Sequence, residues 1–220
     1  MGRRWGRPLR VRTFRALGST LVRSSHPFDS FEHLVGGRGA YPWETVLRTP
    51  VGQIPLWVPT ARDADEVLRA FHRHDYGSGK PQVVVDVGSP AGISTAFFLS
   101  RSDTTRVHVW ESGPTHLDAV RRNVAQFAGR CTVHPVMLAT SSVRGMATEG
   151  IGDALRGVLR LEDHIDLLKF DVAGIDDHLI TAIPLDVLPD ICEIVHRVSG
   201  GVRRHHPHGP EPEYTWHLAD

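Results

Sequence analysis

Short apolar runs alternate with amphipathic segments along most of the chain. Residues 82–87 form a near-continuous run of valines, which is typical of a strand buried on both faces. Further strands are predicted over 106–110, 131–136, 165–172 and 191–196, with helices over 61–73, 93–100, 114–127 and 176–183. Strands that alternate with helices predict an α/β fold, in which a mostly parallel sheet carries helices on both faces.

The segment before the first of these helices has a different pattern. Residues 26–50 are rich in glycine, proline and aromatic residues without a clear period, so we expect irregular structure there. A turn over 49–52 followed by apolar Ile54, Leu56 and Val58 predicts a short hairpin at a sheet edge. We therefore divide the chain into a basic, irregular extension, a folded domain and a His-rich tail, over residues 1–48, 49–200 and 201–220.

Composition excludes several classes of protein. Twenty-five basic residues balance 25 acidic ones, so the chain as a whole has no excess charge that would attract nucleic acid. No window approaches 18 apolar residues, which argues against a membrane span, and the two cysteines lack the spacing of a zinc site. A reducing cytoplasm is the expected compartment. The arginine-rich residues 1–25 are expected to be a solvated tail, with an anionic contact or a transit peptide as alternatives.

Ligands of open α/β sheets bind beyond the carboxyl ends of the strands. Asp86 ends the valine strand, and Gly88 and Gly92 follow it, which allows a tight turn and a close backbone approach to a ligand. Glu111 ends the next strand, where a carboxylate can bind both hydroxyls of a ribose. The G-x-x-x-G spacing departs from the G-x-G-x-x-G pattern of dinucleotide-binding proteins, which argues against a nicotinamide cofactor. We predict that these four residues bind a nucleoside-containing cofactor.

The strand over 165–172 supplies the candidates for catalysis. Lys169 and Asp171 share one face of a regular strand, as a buried ion pair or as a clamp on the substrate. Asp171 is the candidate base because it follows the strand end, and its alternative role is structural, through Lys169 or the next helix. Asp176 is expected to cap that helix.

Three stretches resemble the FkbM family of S-adenosylmethionine-dependent methyltransferases. They are residues 86–92, residues 110–114 with Asn123 beyond, and the K-x-D-x-x-G-x-D run over 169–176. The resemblance covers about residues 49–196 and implies a Rossmann-like class I methyltransferase fold that uses S-adenosylmethionine. It also implies O-methylation of a small-molecule acceptor, a glycosyl or polyketide-like compound.

The chain departs from the family pattern at several positions. Ser89-Pro90 replaces Ala-Asn in the glycine loop, Ala173 replaces a glutamate, and Ser112-Gly113 separates Glu111 from Pro114. Proline removes a backbone donor from the loop. The alternative function is therefore a non-catalytic binding module that kept the fold with a weakened or lost cofactor site.

Several histidines and two tryptophans outside these motifs also have predicted roles. His72 or His74 is a candidate base, with a surface or capping role as the favoured interpretation, and the His-rich tail is expected to bind metal only adventitiously. Trp43 and Trp57 are expected to be buried against the sheet, with the mouth of a substrate pocket as the alternative. The pocket itself is expected to be formed by residues 26–60 and a loop over 140–160.

Few residues remain to complete the sheet after residue 196. At most residues 214–218 are predicted as a further strand, so the carboxyl-terminal side of the sheet is expected to be abbreviated. An uncovered strand edge favours pairing with a second chain, which leads us to predict a homodimer.

Overall fold

The computed structural model describes residues 22–25, 27–36, 39–141, 143–172, 174, 176–198 and 201–208. The strands are β1 Trp43–Thr49, β2 Gly52–Val58, β3 Val83–Val87, β4 Arg106–Trp110, β5 Cys131–His134, β6 Met137–Ala139, β7 Thr148–Gly150, β8 Ile165–Phe170, β9 Ile191–Val198 and β10 Gly201–His205. The helices are α1 Pro27–Phe31, α2 Ala61–Val67, α3 Ile93–Leu99, α4 Pro114–Val124, α5 Ile151–Glu162 and α6 Asp176–Thr181. A π-helical turn, Leu68–Arg73, continues α2.

A six-stranded central sheet confirms the predicted α/β fold. Its order is β10-β9-β8-β3-β4-β5, and every neighbouring pair is parallel except β9 and β10. The chain runs outward from β3 through β4 to β5, and then returns to the other side of β3 to build β8 and β9. The order therefore reverses between β3 and β8, which is where ligands of such sheets bind.

Helices cover both faces of this sheet, as predicted. On one face α2, α3 and α4 pack with the β1-β2 hairpin over the apolar side chains of Val84, Val107 and Leu167. On the other face α5 and α6 pack over Val85 and Phe170, together with further buried strand residues. All five side chains of β3 are buried, as its run of valines predicts for a central strand.

The hairpin differs from its prediction in position and extent. It is confirmed over its second strand, but it forms a two-stranded sheet of its own and is not at the edge of the central sheet. Trp43–Thr49 is a regular strand, so the prediction of irregular structure was wrong there. The side chain of Asn123 in α4 explains the placement, because it bonds the backbone N–H and carbonyl of Trp57 at 2.7 and 2.8 Å.

The segment over 140–160 is not mainly a loop. β7 and most of α5 lie in it, and Ile151, Ala154, Leu155 and Val158 of α5 are buried against the sheet. The four residues recur at helical spacing, so the apolar period was present in the sequence. The prediction of a loop overlooked it.

The last described strand of the sheet also comes earlier in the chain than predicted. β10 pairs antiparallel with the end of β9, with Val202 opposite Arg197. The strand predicted over 214–218 lies outside the described residues.

Candidate functional site

A small open pocket lies where the strand order reverses. The loop from β3 to α3 forms one wall, the ends of β8 and β9 form another, and α2 closes the third. Its lining residues are Arg62, Asp63, Glu66, Gly88, Ser89, Pro90, Ala91, Ile93, Ser94, Lys169, Asp171 and Arg197. Of the predicted site residues, the structure brings Gly88, Lys169 and Asp171 to this pocket.

The regions that were expected to form the pocket do not line it. Neither residues 26–60 nor residues 140–160 contribute a lining residue in the part of the chain that the structure describes. The predicted walls of a substrate pocket therefore stay a prediction. Residues of α2 line this pocket, while β2 of the hairpin packs against α4 and α2.

Asp86 and Lys169 form a buried ion pair beneath the pocket. They are opposite each other in the β3-β8 ladder, and Lys169 Nζ lies 2.8 Å from Asp86 Oδ1 with both side chains at most 1% exposed. Ser94 and Thr95 donate hydrogen bonds to Asp86 Oδ2 at 2.8 and 2.7 Å. Asp86 thus contacts side chains of its own chain and orients the loop above it.

Lys169 also ties the glycine loop to β8. Its ammonium donates to the carbonyl of Gly88 at 2.7 Å and to Ser94 Oγ at 3.1 Å. Burial disfavours a charged lysine, but the carboxylates of Asp86, Asp171 and Glu66 outweigh it and raise the pKa of Lys169. The expected ion pair with Asp171 is replaced by the pair with Asp86, because the neighbouring strand brings Asp86 alongside.

Both loop glycines have left-handed backbone conformations, with φ of +76° at Gly88 and +67° at Gly92. A Cβ atom at Gly88 would lie 2.6 Å from the carbonyl oxygen of Asp171, and one at Gly92 would lie 2.9 Å from Cα of Val120. The glycines therefore let the loop pack against β8 and α4. Asn123 donates to the carbonyl of Ala91 at 2.7 Å and fixes the loop from the other side.

Glu111 lies at the end of β4, beside the loop but outside the pocket lining. Its Oε1 accepts hydrogen bonds from the backbone N–H groups of Ser112 and Gly113 at 2.8 and 3.0 Å. His116 Nδ1 lies 3.3 Å from the same oxygen. The loop is attached to this strand end, because Gly88 N–H donates to the carbonyl of Trp110 at 3.1 Å. These three hydrogen bonds of the Glu111 carboxylate are all made by Oε1.

Asp171 lines the pocket directly after β8 and is paired with an arginine from the next strand. Arg197 Nε lies 2.8 Å from Asp171 Oδ1, and the Asp171 side chain is 11% exposed. Its backbone N–H donates to the carbonyl of Val87 at 2.9 Å, which fixes the strand end. Asp171 is thus accessible to a ligand and held in one orientation.

Sequence reasoning overlooked the charged residues of α2 and β9 at this pocket. Arg62, Asp63 and Glu66 lie on the side of α2 that faces the loop, and Arg197 follows the predicted end of the last parallel strand. The sequence analysis weighed the residues just past the ends of several predicted strands. The same rule, applied to β9, would have selected Arg197. The three helix residues carry no comparable signal, because the sequence does not fix how α2 is rotated over the sheet.

Other candidates lie elsewhere. His72 is buried, and burial with the charges of Arg23 and His74 lowers the pKa of its imidazole to about 4. The pKa of His74 is lowered to about 4 as well, and this residue ends the π-helical turn with φ of +55°. Neither histidine lines the pocket, so neither is placed to act as a base there. His74 has the capping role that was the favoured interpretation.

Trp43 and Trp57 do not line the pocket either. Trp43 is buried, donates to Asp29 Oδ2 at 2.6 Å and stacks on His33 at 4.4 Å. Trp57 is half-buried under the guanidinium of Arg122, which lies 4.9 Å from its ring centroid. Both tryptophans stabilise the hairpin.

The remaining predictions concern metals, the departures from the family and membranes. Among the described residues no group of three His, Cys, Asp or Glu side chains is placed to hold a metal ion. Ala173 and the side chain of Asp176 lie outside what the structure describes, whereas Pro90 lines the pocket. Within the described ranges no helix has the length and apolarity needed to cross a membrane.

The chain was compared with known proteins. No protein-family model and no curated protein sequence matches it. Solved structures that match include PaMTH1, an SAH-bound methyltransferase of Podospora anserina, at 18% identity and a TM-score of 0.41 over 61% of this chain and 55% of that one. TomG, a SAM-bound O-methyltransferase of Streptomyces achromogenes, matches at 14% identity and a TM-score of 0.39 over 53% and 48%.

An O-methyltransferase of Bacillus cereus in complex with SAH matches at 17% identity and a TM-score of 0.35, over 53% of this chain and 49% of that one. The matched region spans about half the length of each of these structures. The family resemblance seen in the sequence stays a prediction, and likeness at this level does not by itself assign an activity or a ligand.

Proposed function

We propose that the protein is an S-adenosylmethionine-dependent methyltransferase. The observation that carries the proposal is the meeting of three features at the carboxyl ends of adjacent strands. These are the glycine loop after β3 and the carboxylate of Asp171 after β8, which line the pocket where the strand order reverses, and the carboxylate of Glu111 after β4, beside the loop. Nucleoside ligands of open α/β sheets bind at this point.

The residues present fit the parts of this cofactor. Glu111, beside the loop that Gly88 and Gly92 shape, offers a carboxylate to the ribose hydroxyls. The amino-acid end of the cofactor carries one carboxylate and one ammonium, and the pocket offers both arginines and carboxylates to receive them. A loop closely packed on β8 and α4 leaves little freedom to reorganise on binding, which favours affinity.

The cofactor, when bound, supplies a methyl group on a positively charged sulfur, which is already activated for attack. This chain must orient the acceptor hydroxyl, exclude water and receive a proton. Asp171 is the candidate proton acceptor, because its carboxylate lines the pocket and Arg197 fixes its orientation. Lys169, predicted as a catalytic residue, is buried beneath the pocket, so we propose that it positions the loop through Gly88 and Asp86.

The acceptor is proposed to be a hydroxyl group of a small molecule, a sugar or a polyketide-like compound. This part of the proposal rests on the resemblance of residues 169–176 to the FkbM family.

Transfer of a labelled methyl group to a set of hydroxylated acceptors, glycosides and polyketide alcohols, tests this function. Asp171→Asn should lower the rate by about 10²- to 10⁴-fold, the usual contribution of a general base, while the affinity for S-adenosylmethionine is retained. Asp177→Asn is the matched control, because that carboxylate is 82% exposed and outside the pocket. A full rate in Asp171→Asn refutes the assignment, and loss of folding supports the structural role.

A further inference from the structure

The carboxylates around the pocket differ in how their charges are balanced. Asp86 is paired with Lys169 and Asp171 with Arg197, each at 2.8 Å. Asp63 accepts a hydrogen bond from the hydroxyl of Thr60 at 2.6 Å, at the start of α2. These three carboxylates therefore have close partners within the chain.

Glu66 has a longer ion pair than Asp86 and Asp171. Its closest arginine atom, Nη1 of Arg69, lies 3.9 Å from Oε2, and its hydrogen-bond partner is the neutral hydroxyl of Tyr76, 2.7 Å from Oε1. The ammonium of Lys169 is paired with Asp86. It lies 5.8 Å from the ring centroid of Tyr76. Among the described residues Glu66 is thus paired with Arg69 at the long distance of 3.9 Å, and its short hydrogen bond is to a neutral group.

This carboxylate is also largely removed from water. The Glu66 side chain is 15% exposed, and its exposure is toward the pocket that it lines. Burial raises the pKa of Glu66, although Lys169 and the hydroxyl of Tyr76 lower it, and Asp171 raises it further. A desolvated carboxylate in this state is stabilised by a cation that enters the pocket, because charge interactions are stronger where water is excluded.

We propose that Glu66 binds a cationic group of S-adenosylmethionine. The inference rests on the proposed function and adds a binding residue on α2. S-adenosylmethionine has two cationic groups, its α-ammonium and its sulfonium, and a carboxylate can stabilise either. Arg62, one turn before Glu66 on α2, and Arg197, on β9, line the same pocket and offer guanidinium groups to the carboxylate of the cofactor.

Calorimetric titration with S-adenosylmethionine and with S-adenosylhomocysteine tests the proposal and identifies the group. Both ligands carry the ammonium, whereas only the first carries the sulfonium. Glu66→Gln keeps the size of the side chain and an acceptor for Tyr76 but removes the charge. We expect it to weaken binding by about tenfold or more, the scale of one charge interaction in a partly buried site.

Asp65→Asn is the matched control, because it removes the same charge from the adjacent position of α2, where the side chain is 65% exposed and outside the pocket. Equal weakening of both ligands in Glu66→Gln supports contact with the ammonium, and weakening of S-adenosylmethionine alone supports contact with the sulfonium. Affinities equal to those of Asp65→Asn for both ligands overturn the proposal.

Two further results are decisive. If Glu66→Gln does not fold, Glu66→Asp replaces it, because this variant keeps the charge and withdraws it by one methylene. Weaker binding by Glu66→Asp supports the proposal, and unchanged binding overturns it. If the folded wild-type protein binds neither ligand, the proposed function itself is overturned, and the inference with it.

Discussion

The ion pair between Asp86 and Lys169 should be the most sensitive polar contact in the fold. Lys169→Met preserves the length and apolar stem of the side chain but removes the ammonium. Asp86 would then keep its hydrogen bonds from Ser94 and Thr95 but would lose its only close cation among the described residues. Gly88 would lose the donor to its carbonyl.

The magnitude follows from the burial of the pair. Both side chains are at most 1% exposed, so the carboxylate left behind cannot regain water. Removing one partner of such a pair costs about 3–5 kcal/mol, whereas an exposed pair contributes less than about 1 kcal/mol. In a chain of this size each kcal/mol lowers Tm by about 2–4 °C, so we expect a decrease of roughly 6–20 °C.

Thermal and urea unfolding of four proteins, the wild type, Lys169→Met, Asp86→Asn and the double variant, measure the effect. The double variant should recover most of the lost stability, because it no longer contains an uncompensated buried charge. If the free energy of unfolding of Lys169→Met is within about 1 kcal/mol of the wild-type value, the interpretation is contradicted, since this is the behaviour of an exposed pair. A double variant no more stable than either single variant would contradict it as well.

Two further predictions concern the pocket walls. Gly88→Ala should unfold at a lower temperature than Gly174→Ala. Both glycines have positive φ, but only a Cβ at Gly88 would meet the carbonyl oxygen of Asp171, at 2.6 Å. Equal decreases of Tm in the two variants would show that this close approach is unimportant. Because the raised pKa of Glu66 favours the protonated side chain in the folded state, its contribution to stability is present below about pH 4.5 and is lost as pH rises through the folded pKa. Glu66→Gln should therefore be more stable than the wild type at neutral pH and lose this advantage toward pH 4, and a difference independent of pH in denaturant titrations would argue against a strained carboxylate.

The sequence was sufficient to predict the alternating elements of the domain. The valines of β3 and the periodic apolar residues of α4 act locally, and both elements are found where they were predicted. α5 was also encoded locally, by Ile151, Leu155 and Val158, but its pattern was overlooked.

The candidate site depends on contacts between distant parts of the chain, which no local pattern contains. Lys169 and Asp171 share a face as predicted, yet Lys169 pairs with Asp86 because β8 lies next to β3 in the sheet. The pairing of Asp171 with Arg197 likewise follows from the order of β8 and β9. Glu66 lines the pocket because of how α2 is rotated over the sheet, and the packing of the whole domain determines this rotation.

Titration of S-adenosylmethionine into the wild-type protein and Glu111→Ala is the most direct test of the central claim, that the end of the sheet binds an adenosine-containing cofactor through Glu111. Glu111→Gln keeps an acceptor for the N–H groups of Ser112 and Gly113, and Glu44→Ala removes a carboxylate that is 70% exposed on the hairpin. We expect binding by the wild type and Glu44→Ala, weaker binding by Glu111→Gln, and a loss of about 10²-fold in Glu111→Ala, since two charge-assisted hydrogen bonds disappear. Unchanged affinity in Glu111→Ala, or no binding by the folded wild-type protein, would contradict the account.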